Sequence, residues 1–206
     1  MSPRAEDSGT SGREEAWRCF VAVRLADPAR SAVAEYLDRV RAAVDGVAWT
    51  RSDQLHLTLK FLGDVPASRV PEIAARLGDA LQALPACTLE VAGIGAFPNL
   101  ARPQVLWVGV RALGLARLSD VVETSCAAEG FPRETRPFRP HVTLGRIRTR
   151  ARRIAPDLAL LVRDGDRTFG ASPVGGVTLF RSQLGAGGAR HAVLAEFPVA
   201  HDAGIP

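Results

Sequence analysis

Two short stretches constrain this chain more than anything else in it. "HLTLKFLG" (56–63) and "HVTLGRI" (141–147) carry histidine, threonine and leucine at the same offsets, with aliphatic residues matching at two further places. With four histidines and ten threonines in 206 residues, chance places His-x-Thr roughly 0.2 times in such a chain. Two copies with shared flanks therefore point to an internal repeat. His191 and His201 have no threonine two residues on.

Side chains of a β-strand alternate between two faces. In the first stretch that rule puts His56, Thr58 and Lys60 on one face and Leu55, Leu57, Leu59 and Phe61 on the other. In the second it groups Arg139, His141, Thr143 and Gly145 against Val142, Leu144 and Arg146. The aliphatic faces belong in a core and the polar faces in a groove. If the two segments are related by a pseudo-twofold axis, both polar faces line one cleft.

The rest of the chain fits two similar α+β halves. "RCFVAVRL" (18–25) reads as a strand. Asp27-Pro28 then opens a helix that Gly46 ends. Residues 47–65 read as strand, turn, strand, and Pro66 and Ser68 open a second helix running to about Leu84. Residues 87–99 and 104–110 form a hairpin around "PNLARP". A third helix spans about 113–129 and stops at Gly130. A strand at 138–148, a short helix near 151–163 and strands at 173–184 and 190–199 complete the pattern. Residues 1–15 and 201–206 read as tails around one domain, 16–200, the first tail having almost nothing to bury.

Composition narrows the setting. No apolar run approaches a membrane span, and the polar N-terminus lacks an apolar signal core, so a cytoplasmic protein is expected. Three cysteines without a CxxC pair suggest neither a disulfide framework nor a metal knuckle, and they read as small buried hydrophobes. A net charge of +4 and a pI near 9.6 favour an anionic partner such as a nucleotide or RNA. Of the 26 basic residues, 25 are arginine and Lys60 is the one lysine. Arginine counts therefore say little, and Lys60 stands out.

Two imidazoles facing one space suit general acid-base work, because near pH 7 one ring can be neutral while the other is protonated. Threonine hydroxyls and cationic side chains can donate to phosphoryl oxygens. The preferred substrate is a phosphodiester, opened without a metal or other cofactor.

These motifs resemble the 2H phosphoesterases, and "CFVAVRL", "GIGAFPN", "RPQVLWVGV", "RPFRPHVTLGRI", "LFRSQL" and "AEFPV" are similar to the RNA 2',3'-cyclic phosphodiesterase branch, also called 2'-5' RNA ligases. The resemblance spans nearly all of residues 17–199. It implies a bilobal α+β fold: two pseudo-symmetric lobes of antiparallel sheet, helices packed outside and a central cleft. It further implies metal-free opening of an RNA or nucleotide 2',3'-cyclic phosphate to a 2'-phosphate. His56 and His141 become the acid-base pair, Thr58 and Thr143 the phosphate ligands, with Arg139 and Lys60 as further candidates. A monomer acting on RNA ends is expected. The chain departs from the family at His191, where an aromatic residue, often tyrosine, is usual.

Other readings compete. The same histidines would serve the reverse reaction, joining a cyclic end to a 5'-hydroxyl. A non-catalytic module could hold RNA ends by charge alone. A zinc protein would need a carboxylate or cysteine beside the two histidines. Arg146, Arg148, Arg150, Arg152 and Arg153 could guide an RNA backbone, although such a run also suits a solvated connector. Phe20, Phe97, Phe138 and Phe180 could stack on a base, but their apolar neighbours favour the core for most of them.

Overall fold

The structure, a computed structural model, describes residues 14–148, 158–185 and 188–199. The expected tail over 1–13, the arginines at 150, 152 and 153, and the segment 201–206 lie outside the described residues. Among the described residues nine strands form a single antiparallel sheet: β1 (Ala16–Arg24), β2 (Val47–Trp49), β3 (His56–Pro66), β4 (Thr88–Phe97), β5 (Val105–Arg111), β6 (His141–Ile147), β7 (Thr168–Pro173), β8 (Gly176–Gly185) and β9 (Gly188–Pro198). The helices are α1 (Ala29–Ala43), α2 (Val70–Leu81), α3 (Leu115–Ala128) and the short α4 (Ala159–Arg163).

Strand order explains the two lobes. It runs β7-β4-β5-β6-β3-β1-β8-β9, with β2 beside β6. β3 with β1, β8 and β9 makes one lobe; β6 with β5, β4 and β7 makes the other. The chain end thus returns to the lobe built from the chain start. The lobes join where β3 meets β6, through the antiparallel pair Leu57↔Val142. Both of these side chains are fully buried.

The expected helices form where the spacing of apolar residues puts them. Val33, Tyr36, Leu37 and Val40 make the buried stripe of α1, and Ile73, Leu77 and Leu81 that of α2. The Asp27 carboxylate accepts from the Ser31 N–H at 3.2 Å and the Ser31 hydroxyl at 2.6 Å, holding the first turn of α1. α1 packs on β7, α2 on β9 and α3 on β3, all on the outer side of the sheet. Cys19 and Cys126 are buried there and Cys87 partly so, all as free thiols. Glu14 and Glu15, expected in the tail, are docked: Glu15 O accepts from Ala67 N–H at 2.9 Å and its carboxylate from Arg181 at 2.9 Å. Among the described residues no helix is long and apolar enough to cross a membrane.

Strand β7 lies outside the strands expected from the sequence. "TFGASP" has no run of β-branched residues and no clean alternation, and it is held as an edge strand by pairing with β4.

The alternation rule fails at the same place in both motif strands. Ala22 pairs with Thr58 but Val21 with Lys60, so Leu59 is an extra, bulged residue. Trp107 pairs with Thr143 but Leu106 with Gly145, so Leu144 is bulged in the same way. A bulge inserts one residue and exchanges the faces beyond it. Hence Lys60 and Gly145 turn outward to the core side, while Phe61 and Arg146 turn to the cleft side. A Cβ on Gly145 would lie 2.6 Å from Val47 Cγ1 and 3.1 Å from Ala48 O. Gly145→Ala should therefore lower stability by roughly 1–3 kcal/mol, read as a lower urea midpoint with unchanged m-value. A groove-facing Gly145 would accept alanine without loss.

Candidate active site

Partners in an antiparallel pair share a face, and their sequence neighbours share the other. Because Leu57 and Val142 point into the core, His56, Thr58, His141 and Thr143 must all face the opposite side. All four are partly exposed there, as groups lining an open cleft should be. The structure thus brings together the four residues that the two motifs nominate.

Each histidine begins its strand, and each is anchored in the same way. His56 Nδ1 lies 2.7 Å from Gln54 O, and His141 Nδ1 lies 2.7 Å from Arg139 O. A carbonyl oxygen only accepts, so each Nδ1 carries the proton. The neutral tautomer then leaves an Nε2 lone pair on both rings, and protonation turns the same atom into a donor. Gln54 is placed for this by the short 3₁₀ turn Ser52–Gln54. Arg139 contributes through its main chain, and its side chain is exposed just before His141.

The walls around the two rings differ. His56 sits against Phe20 (centroids 5.0 Å apart) and stands edge-on to His191 at 5.3 Å. Phe20 and Phe180, with Ala22, form a small buried cluster on this face, separate from the main core. His141 stands edge-on to Phe97 at 4.9 Å, and Phe97 leans on Trp107 at 5.3 Å. Phe138 is exposed at 37% in the loop leading to His141.

This burial penalises the charged imidazolium. It pushes His56 down to about 4, against the hydrogen bond to Gln54 O, with the charges of His191 and His141 adding to the fall. His141 is also lowered by burial, opposed by the Arg139 carbonyl and helped by the Arg146 charge. That field from Arg146 agrees with its position on the cleft side beyond the bulge.

Lys60 is a correction. Alternation placed it beside His56 and Thr58, but the bulge at Leu59 sends it through the sheet. Its side chain is 6% exposed, and Nζ donates to Glu123 Oε2 at 2.7 Å and to Pro132 O at 2.6 Å. Glu123 Oε2 also accepts from Glu134 N–H at 3.2 Å. Lys60 therefore ties the first motif strand to α3 and to the loop that leads into the second motif, and does not reach the cleft. The cation Arg146, which alternation had turned away, does face it. Arg24 is a second, paired in register with His56 and ion-paired with Glu196.

His191 lies beside His56 because β9 returns along β8 to the first lobe; no local motif marks it. Its Nδ1 and the Nε1 of Trp107 are buried without a hydrogen-bond partner among the described residues. Among those residues no group of three or more His, Cys, Asp or Glu is arranged to hold a metal ion.

Comparison with known proteins identifies the family of the chain. The family model "LigT like Phosphoesterase" matches residues 23–107 and 110–191. The chain is 34% identical over 169 residues to an RNA 2',3'-cyclic phosphodiesterase of Archaeoglobus fulgidus, covering 81% of this chain and 92% of that one. It is 35% identical over 188 residues to one of Thermus thermophilus, covering 87% and 89%. The crystal structure of TT0787 of Thermus thermophilus superposes with a TM-score of 0.74 at 31% identity, over 90% of this chain and 99% of that one. E. coli LigT complexed with 3'-AMP superposes with a TM-score of 0.68 at 28% identity, over 90% and 99%. This fold and these matches define a 2H phosphoesterase. The chain belongs to the LigT-like phosphoesterase family.

Two stability effects follow. Lys60→Met leaves the partly buried Glu123, 13% exposed, without its cation, and should cost about 3 kcal/mol in urea unfolding; Lys60→Met with Glu123→Gln should recover much of that. His56 falls from an ordinary value of 6.5 to about 4 on folding. Between those pH values the unfolded chain binds a proton that the folded chain does not. Stability is therefore intact above pH 6.5 and falls toward pH 4, by about 3 kcal/mol from this ring. His56→Phe should flatten that slope in unfolding curves at pH 7, 5.5 and 4.5.

Proposed function

We propose that the protein is an RNA 2',3'-cyclic phosphodiesterase that opens the cyclic phosphate of RNA or nucleotide ends to a 2'-phosphate. The observation that carries this reading is the matched anchoring of His56 and His141 on one face of the sheet, each with Nε2 left for chemistry. One Nε2 takes a proton from water as its oxygen attacks phosphorus. The other Nε2–H gives a proton to O3' as the P–O3' bond breaks. The product keeps phosphate on O2' and carries a free 3'-hydroxyl.

Burial favours the neutral form of both rings, since it lowers each. A cyclic phosphodiester brings one negative charge, and an opposite charge close by raises the pKa of the ring that must donate. Substrate binding thus charges the acid. Thr58 and Thr143 donate to the non-bridging oxygens, and Arg146 neutralises the charge developing there, with the Arg139 side chain at the mouth. Phe20, Phe97 and Trp107 shield the reaction from bulk water. The names of the Archaeoglobus and Thermus relatives support this substrate class. Both motifs come from one chain, so a monomer suffices.

His56→Ala and His141→Ala should each lower kcat on a 2',3'-cyclic nucleotide by about 10³-fold or more with the circular dichroism of the parent. Arg146→Ala should lower kcat/KM by about 10²-fold, and Arg146→Lys by less. Near-parental turnover in either histidine variant, turnover abolished by EDTA, or a 3'-phosphate product in 31P NMR would contradict the proposal.

A further inference from the structure

The cleft face of the first lobe carries a third imidazole that the chemistry above does not use. His191 pairs in register with Ser182 on β8, and Ser182 with Arg18 on β1, so these side chains share the face of Phe20, Phe180 and His56. The His191 ring stands perpendicular to His56 (5.3 Å, 89°) and to Phe20 (4.8 Å, 78°). No hydrogen bond joins the two imidazoles, and His191 Nδ1 is buried without a partner among the described residues. Two cations at this spacing against an aromatic wall repel strongly, because little water lies between them to screen the charge.

We propose that His191 is a positioning residue for His56, coupled to it so that one of the two rings, and not both, carries a proton. The proposal rests on the reading of His56 as half of the acid-base pair. Burial is what opposes a proton on His191, whereas burial and two neighbouring charges oppose one on His56. A proton on either ring therefore opposes one on the other. The other groups facing this corner are Arg18 and Arg24 on β1, Asp64 on β3, Glu196 on β9 and His141 on β6. Arg24 and Glu196 are paired with each other. Thr178, Phe180 and Ser182 of β8 bring no charge. A neutral side chain at 191 would keep the wall and remove the coupling.

The test is an NMR titration of the histidine Cε1–H signals in the full chain, for the parent, His191→Gln and His191→Phe. In the parent, His56 should titrate in two linked steps that mirror those of His191. In both variants its curve should become a single step, and in His191→Gln its midpoint should rise by between about half a unit and two units. His141 should move less. The limb of the kcat/KM–pH profile set by His56, measured with a 2',3'-cyclic nucleotide, should shift the same way by the same amount. An unchanged His56 curve in folded His191→Gln overturns the coupling. A shifted His56 curve in a protein whose His56→Ala variant turns over normally upholds the coupling and defeats the acid-base reading instead.

Discussion

One backbone pairing governs the functional part of this molecule. β3 and β6 meet at Leu57↔Val142, and both side chains go to the core. Antiparallel geometry then leaves no freedom: the residues on either side of each must emerge together on the far face. Two histidines and two threonines, separated in the chain by a helix, a hairpin and another helix, are thereby brought to one cleft. The apolar neighbours of the motifs are thus as much a part of the site as its polar residues, because their burial sets the direction of His56 and His141.

The lobes repeat more than a motif. Each histidine begins a strand, each Nδ1 is held 2.7 Å from a carbonyl oxygen two residues upstream, and in each motif the leucine that follows the threonine, Leu59 or Leu144, is bulged. What differs is the surroundings. Phe20 and His191 enclose His56, while Phe97 encloses His141 and the Arg146 charge acts on it. A pseudo-symmetric frame with unlike walls suits a reaction that needs two like groups in opposite protonation states.

Much of this was legible in the sequence, and the gaps have physical causes. The two copies of His-x-Thr, the alternation through Leu57 and Val142, and the helical spacing of Val33, Leu37 and Val40 are local patterns, so the strands, the helices and the four central residues could be read directly. A β-bulge depends on what the partner strand accepts, and the motif strands alone did not reveal it. Alternation carried past Leu59 and Leu144 therefore put Lys60 and Gly145 in the cleft and Phe61 and Arg146 outside it, the reverse of what the register shows. No local motif marks His191. Its place beside His56 depends on β8 and β9 returning to the first lobe, a long-range pairing that no neighbouring residue encodes.

Whether both Nε2 atoms serve one phosphoryl group is decided by a crystal structure with a nucleoside 2',3'-cyclic vanadate. The prediction is that His56 Nε2 and His141 Nε2 each lie within about 3 Å of oxygens on the same vanadium, on opposite sides of it, in line for attack and departure. A vanadate bound through one histidine alone, or seated away from the Leu57–Val142 junction, would contradict it.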